Sequence, residues 1–444
     1  MSCRAFLVTA PASGQGKTTV TAALARQARA RGERVRVFKT GPDFFDPMIH
    51  EVASGESCHQ LDLFMGGLAH CQALLAEAAR EANLILVEGV MGLFDGKPSS
   101  ADLTRAFRLP IVAVIDGSAM AQTFGALAHG LASFQPDLEF AGVIANRVAS
   151  ERHAAMLFES LPPQIPGLGW LPREAAITLP ERHLGLLPAA ELADLESRLD
   201  KAATALHFDA SQLLDWEGPG DVAQAVGRAS ARYERPDVGL KPDPRLSALQ
   251  GQRIAIARDE AFCFIYPANL DTLRALGAEL AFFSPLHDAT LPACDAVWLP
   301  GGYPELHAAR IAANEGMQLA LLAHASAGKP LLAECDGMMS LFETLVTADG
   351  AMHAGFGLLE GGALMQGKLA ALGLQEAALP EGSLRGHSFH YSRADTPLVP
   401  IAHGTNPNGG ATTEAVYRVG RSTASYIHFY FPSNPAAVAA LFRA

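Results

Sequence analysis

Two stretches of the sequence bring together residue types and spacings that can do chemistry. VTAPASGQGKTT, residues 8–19, sets Gly14, Gly16, Lys17, Thr18 and Thr19 directly behind an apolar run. Glycines ahead of a helix N-terminus leave backbone N–H groups facing an anion, so the stretch reads as a phosphate loop for ATP. Lys17 would neutralise β/γ-phosphate charge and Thr18 would put a hydroxyl on Mg²⁺. Pro11 stands where the strict pattern has glycine, but both glycines nearest the phosphates are kept. The second stretch, KPLLAECDGMMSLFE, is an apolar run ending in Cys335, then a helix. A cysteine on a sharp strand-to-helix turn has the setting of a nucleophile elbow, where the helix N-terminus favours thiolate.

Each stretch needs partners. Asp43 and Asp46 lie in FKTGPDFFDP; Glu88 closes the run LILVE, and Asp95 lies in the loop beyond. Carboxylates at the carboxyl ends of parallel strands are placed to hold the Mg²⁺ that bridges phosphates. With Thr18, Asp43 and Glu88 are assigned to the metal, and Asp46 and Asp95 to the substrate and phosphoryl transfer. Turn chemistry is the alternative for any one of these acids, and Asp116 reads equally well as a helix cap. For the thiol, VWLPGGYPELHA offers Gly301 and Gly302, which with Asp336 would supply oxyanion N–H groups. SYIHFYFPSNP offers His428 as the base. His387 and His390 form an H-x-x-H pair with no third ligand, so substrate or structural hydrogen bonding is preferred to a metal.

These residues require elements that hold them. RAFLVTA, RVRVFKT, NLILVEGV, PIVAVID and FAGVIANRV read as strands buried on both faces, alternating with helical stretches such as TTVTAALARQARARG. That pattern argues for a parallel sheet covered by helices. It degrades through residues 216–252, rich in Gly, Pro and charge. It restarts with RIAIARD, AELAFFS, AVWLPGG and KPLLAEC; EAVYRVG and ASYIHFYF follow without long helices, which predicts a more mixed sheet. Two α/β domains are expected, 1–240 and 250–444, in keeping with 444 residues. A formal charge of −12 without a basic block argues against nucleic acid. No apolar run has membrane-spanning length, and no secretory leader is recognisable. The six cysteines lack C-x-x-C spacing. A cytoplasmic protein is expected.

Taken in order, SGQGKTT, FKTGPDFFDP, VEGVMGLFDG, GVIANRV, LPERHLGLLP, ARDEAFCFIYP, LPGGYPELHA, AEC, RGHSFHYS and SYIH resemble the cobyrinate/hydrogenobyrinate a,c-diamide synthases of cobalamin biosynthesis. The resemblance implies an N-terminal dethiobiotin-synthetase-like P-loop domain and a C-terminal class I glutamine amidotransferase domain. It implies ATP and Mg²⁺, with glutamine and a tetrapyrrole polycarboxylate as substrates. ATP would turn acetate carboxylates into acyl phosphates, and ammonia released at Cys335 with His428 would displace the phosphate. By the same analogy Asn146 frames the adenine. A homodimer is left open. Asp336 stands where the family has glycine, and Tyr430 where a triad has glutamate. Two other readings remain: Ni-sirohydrochlorin a,c-diamide synthesis, and a P-loop ATPase switch with an inactive glutaminase-like domain.

Overall fold

Five apolar runs of the first half form the strands expected of them. They are β1 (Arg4–Thr9), β2 (Val35–Lys39), β4 (Leu84–Glu88), β5 (Ile111–Asp116) and β6 (Phe140–Val148). The sheet also takes in β3 (His59–Gln60), β7 (Gly167–Pro172) and a short strand at His207–Phe208. Its order is His207–Phe208, β7, β6, β5, β1, β4, β2, β3; every pairing is parallel except the first. In β4 all five residues are buried. Covering both faces is why the run is continuously apolar, and each buried Leu or Val contributes roughly 1.5–3 kcal/mol. Register sets the chemistry: Glu88 lies opposite Val8 on one side and Lys39 on the other, so three strand ends finish level.

The structure, a computed structural model, describes residues 3–182, 185–186, 189–209, 215–216, 218, 247–407 and 411–444. Contacts divide the chain into two units, Met1–Leu63 with Gly67–Gly239, and Leu240–Ala444 with Phe64–Gly66. Of the expected boundary segment, residues 217 and 219–246 lie outside the described residues, as do 183–184 and 187–188 of LPERHLGLLP.

In the second unit, five strands pair in parallel in the order 279–283, 253–257, 296–299, 331–334 and 422–425. The same sheet continues antiparallel through 411–419, 402–405, 371–379, 382–390 and 428–429. ASYIHFYF, expected as one strand, divides. One strand ends at Ser425, and His428–Phe429 pairs at the far edge of the sheet. Ser425 explains the break: its hydroxyl donates to the Ala415 carbonyl and accepts from Ile427 N–H, which competes with ladder pairing. A separate four-stranded sheet (352–354, 342–346, 359–365, 392–395) was not foreseen from the sequence. Its strands carry a register shift at Phe342/Thr344 and the pair Gly361–Gly362, which blur the alternation that marks a strand.

Candidate active site

The phosphate loop joins β1 to helix α1 (Lys17–Ala30). Gly14 and Gly16 have φ of 78° and 84°, the left-handed region glycine enters without a Cβ penalty. Gly16 has a second reason to be glycine, since a Cβ there would collide with the Asn146 amide. That amide donates to the Gln15 carbonyl at 2.8 Å, while Gln15 Oε1 accepts from Asp116 N–H at 2.9 Å. Asn146 is thus placed as a brace behind the loop. Asp116 takes Ser118 N–H and an ion pair with Arg147 at 2.6 Å. Lys17 Nζ donates to the Met91 carbonyl at 2.6 Å, and burial with the nearby Lys39 ammonium pushes it below its ordinary pKa. A lysine so destabilised as a cation gains from a polyphosphate.

Thr18 Oγ1 lies 3.1 Å from Asp46 Oδ1 and 3.0 Å from Glu88 Oε1. Asp43 does something else: its carboxylate accepts from Phe45 N–H at 2.8 Å and Asp46 N–H at 3.3 Å. Those bonds tie down the start of α2 (Phe45–Ser54), which is the turn chemistry weighed above. Asp95 is exposed and accepts from Gly92 N–H at 3.0 Å. The oxygens that gather around Thr18 are therefore those of Asp46 and Glu88.

The sequence reading missed Lys39, which sits among these acids. Its buried ammonium is 2.5 Å from Asp46, 3.0 Å from Glu88 and 3.9 Å from Asp43. Burial alone would push it down, but Asp46, Glu88 and Asp43 together hold it above its ordinary value. Reciprocally, Lys39 holds the Asp46 carboxyl low against burial, while burial and Asp46 raise Asp43. His50, also missed, bonds Glu88 through Nε2 inside the core. The signal was present: a lysine at the end of an otherwise apolar buried strand needs a compensating charge. Hard oxygen donors suit Mg²⁺, which keeps waters and phosphate oxygens in its shell. That fits the chemistry of this donor set, a hydroxyl with two carboxylates within hydrogen-bond reach.

In the second unit Cys335 follows the strand Leu331–Glu334 and precedes the short helix Asp336–Met339, with φ 50° and ψ −122°. The elbow closes because Gly337 packs on the backbone: a Cβ there would meet the Leu299 and Pro300 carbonyls. A Cβ on Gly301 would run into the His428 ring and lie 3.0 Å from Cys335 Cβ, so Cys335 and His428 flank one glycine. Gly302 instead lets its backbone pass against Ala261 and Cys263. The thiol donates to Asp336 Oδ2 at 3.5 Å. Burial and Asp336 push it well above its ordinary value, and burial with His387 and His390 pushes His428 well below. Both shifts favour the uncharged forms, thiol and imidazole.

Around the pair lie histidines and acids that spacing alone did not connect. His387 stacks on His428 with ring centroids 4.8 Å apart and bonds Tyr266 Oη at 2.9 Å; burial pushes it down to about 3. His390 bonds the Ser392 carbonyl at 2.9 Å and buried Glu414 at 3.2 Å. Both histidines serve hydrogen bonding and packing. Burial raises Asp336 to about 6, with His390 pulling the other way. Glu334, never singled out within AEC, is buried and bonded to Trp298 and Phe429.

Comparison with known proteins adds a family to this geometry. Residues 6–187 match the CobQ/CobB/MinD/ParA nucleotide binding domain, and residues 253–436 the CobB/CobQ-like glutamine amidotransferase domain. The chain is 58% identical over 439 residues to a hydrogenobyrinate a,c-diamide synthase of Pseudomonas aeruginosa, covering 99% of this chain and 97% of that one. It is likewise 58% identical over 442 residues to the protein of that name from Stutzerimonas stutzeri, covering 100% and 99%. A cobyrinate a,c-diamide synthase of Herminiimonas arsenicoxydans is 48% identical over 442 residues, covering 99% and 97%.

Proposed function

The chain belongs to the a,c-diamide synthases, and from that membership we propose that it amidates the a and c acetate carboxylates of hydrogenobyrinate, using ATP and glutamine. What carries the reading is that each half-reaction has its own residue set: Lys17, Thr18, Asp46 and Glu88 in one unit, and Cys335, Gly301 and His428 in the other. The choice of macrocycle rests on the name shared by the two relatives at 58% identity, against cobyrinate at 48%. Mg²⁺ with the nucleotide belongs to the proposal, as does a cytoplasmic setting.

In the second unit, neutral His428 takes the Cys335 proton as sulfur bonds the glutamine amide carbon. The C–N bond then breaks, the departing nitrogen takes that proton, and ammonia leaves. Water cleaves the remaining thioester to glutamate and restores the thiol. In the first unit, a substrate carboxylate oxygen bonds the γ-phosphorus of ATP and ADP departs. Lys17 and the loop N–H groups balance charge on the phosphates. Held by Thr18, Asp46 and Glu88, Mg²⁺ would supply charge neutralisation at the β- and γ-oxygens. Ammonia then bonds the acyl carbon and phosphate leaves. The sequence is repeated at the second acetate.

Mass spectrometry of hydrogenobyrinate, cobyrinate and Ni-sirohydrochlorin, each with enzyme, ATP, Mg²⁺ and glutamine, tests the proposal. Two amidations on hydrogenobyrinate are expected; Cys335→Ala should abolish them with glutamine and keep them with ammonium. Preference for another macrocycle would overturn the substrate assignment. No amidation with either nitrogen source would overturn the reaction.

A further inference from the structure

Glu334 lies immediately before the nucleophile, and its partner Phe429 immediately after the base. The side chain is 2% exposed. Oε1 accepts from Phe429 N–H at 3.0 Å and Oε2 from Trp298 Nε1–H at 2.9 Å. The Phe429 carbonyl accepts from Asn269 Nδ2 at 2.8 Å, so both backbone groups of that residue are engaged by side chains. By sheet order the strand Leu331–Glu334 is fourth and His428–Phe429 tenth. Glu334 pairs with Ser425 in the ladder, and the chain then leaves that strand for the far edge of the sheet; the Glu334 carboxylate holds Phe429 where no ladder bond joins the two strands.

We propose that Glu334 is a positioning residue of the glutaminase, a carboxylate latch that fixes the His428 segment against the strand delivering Cys335. The proposal rests on the reading of this unit as the source of ammonia. Its chemistry follows from the partners. Both are N–H donors, so the group between them must accept at both ends. A carboxylate does so; a glutamine offers one carbonyl and turns its NH₂ toward the other donor. A buried acid is expensive to keep: burial raises this carboxyl, and the bonds from Phe429 N–H and Trp298 Nε1–H pull the other way, toward the carboxylate. An apolar residue of similar size would fill the space without that cost but would leave two buried donors unmet. Glu334 acts through the backbone next to His428.

The test compares full-length wild type, Glu334→Gln, and the double variant Glu334→Gln/Trp298→Phe. The readouts are glutamine-supported amidation, ammonium-supported amidation and thermal midpoint. A misplacement of about an ångström at a reacting group costs on the order of a hundredfold in rate. Glu334→Gln is therefore expected to lower kcat with glutamine by roughly that factor, with little change in glutamine KM and none in the ammonium-supported rate. Removing the indole N–H frees the Gln carbonyl for Phe429, so the double variant should recover most of the lost kcat. Undiminished kcat in Glu334→Gln, or a double variant no better than the single, would overturn the latch. A parallel loss of ammonium-supported rate would also overturn it, by reducing Glu334 to a core residue. Where the single variant is too unstable to assay, wild-type-like kcat in the double variant supports the latch and a large loss refutes it. Wild type that uses ammonium but never glutamine would remove the glutaminase reading itself, a failure distinct from these.

Discussion

Asp336 directly follows Cys335, and its charge acts on the thiol. The Cys335 sulfur is 3.5 Å from Asp336 Oδ2. Two unit charges at that separation repel by about 4–5 kcal/mol at an effective dielectric near 20. At about 1.4 kcal/mol per decade, that is at most on the order of a few thousandfold in thiolate formation. Asp336→Asn removes the charge and keeps the size. The assay is the pH dependence of inactivation by a glutamine-analogue alkylating agent such as 6-diazo-5-oxo-norleucine. The variant's curve should move to lower pH, with inactivation at pH 7 at least about tenfold faster. Stability carries the same signature. The Asp336 carboxyl is raised to about 6 from 3.8, so the native state binds the extra proton and the group's contribution falls as pH rises from about 4 to 6. The whole effect is about 3 kcal/mol, so Asp336→Asn should be more stable than wild type above pH 6 and show no such gain near pH 4. Superimposable inactivation curves would refute the electrostatic argument. Slower inactivation of the variant would refute it too, by showing that the carboxylate accepts the thiol proton.

Two further substitutions probe the sites separately. Gly301→Ala drives a methyl between His428 and Cys335; glutamine-supported amidation should fall on the order of a hundredfold, while the ammonium-supported rate, followed by mass spectrometry, is kept. Lys39→Met leaves Asp46 and Glu88 without their shared cation. Breaking a buried charge set this way costs about 3–5 kcal/mol, measurable by urea denaturation, and ATP-dependent product formation should be lost with either nitrogen source.

Where a signal was local, the sequence disclosed it. The phosphate loop follows from Gly14, Gly16 and Lys17 behind an apolar run, and the elbow from AECDG behind another; both lie where expected. Asp43 and Asp46 were legible as a pair but not in their parts. Asp43 meets N–H groups two and three residues on, an N-terminal capping pattern open to local reading. Asp46 reaches Lys39, at the end of β2, and Thr18, on the helix after β1; only the sheet order β1, β4, β2 brings those ends near one another. Lys39 announced itself by type alone, since a lysine in a doubly buried strand must be answered by acids. Glu334 gave no sign, because Trp298 lies on the neighbouring strand and Phe429 just past the break after Ser425, pairings that no periodicity encodes. The division of the ASYIHFYF run failed for a related reason: an apolar stretch specifies burial, and one serine hydroxyl decided where the pairing stopped.

The backbone at Cys335 sets the proposed nucleophile in opposition to its own fold. A φ of 50° with ψ −122° is terrain for glycine, and a side chain there costs of order 1–3 kcal/mol. Glycine would relax the turn, so the chain would be sturdier without its nucleophile. Mutational drift at this codon has a downhill direction thermodynamically, toward a folded and inert second unit. Only selection for ammonia delivery opposes it. Descendants released from that selection should therefore keep the architecture and lose the thiol, surviving as well-folded proteins fed by free ammonium.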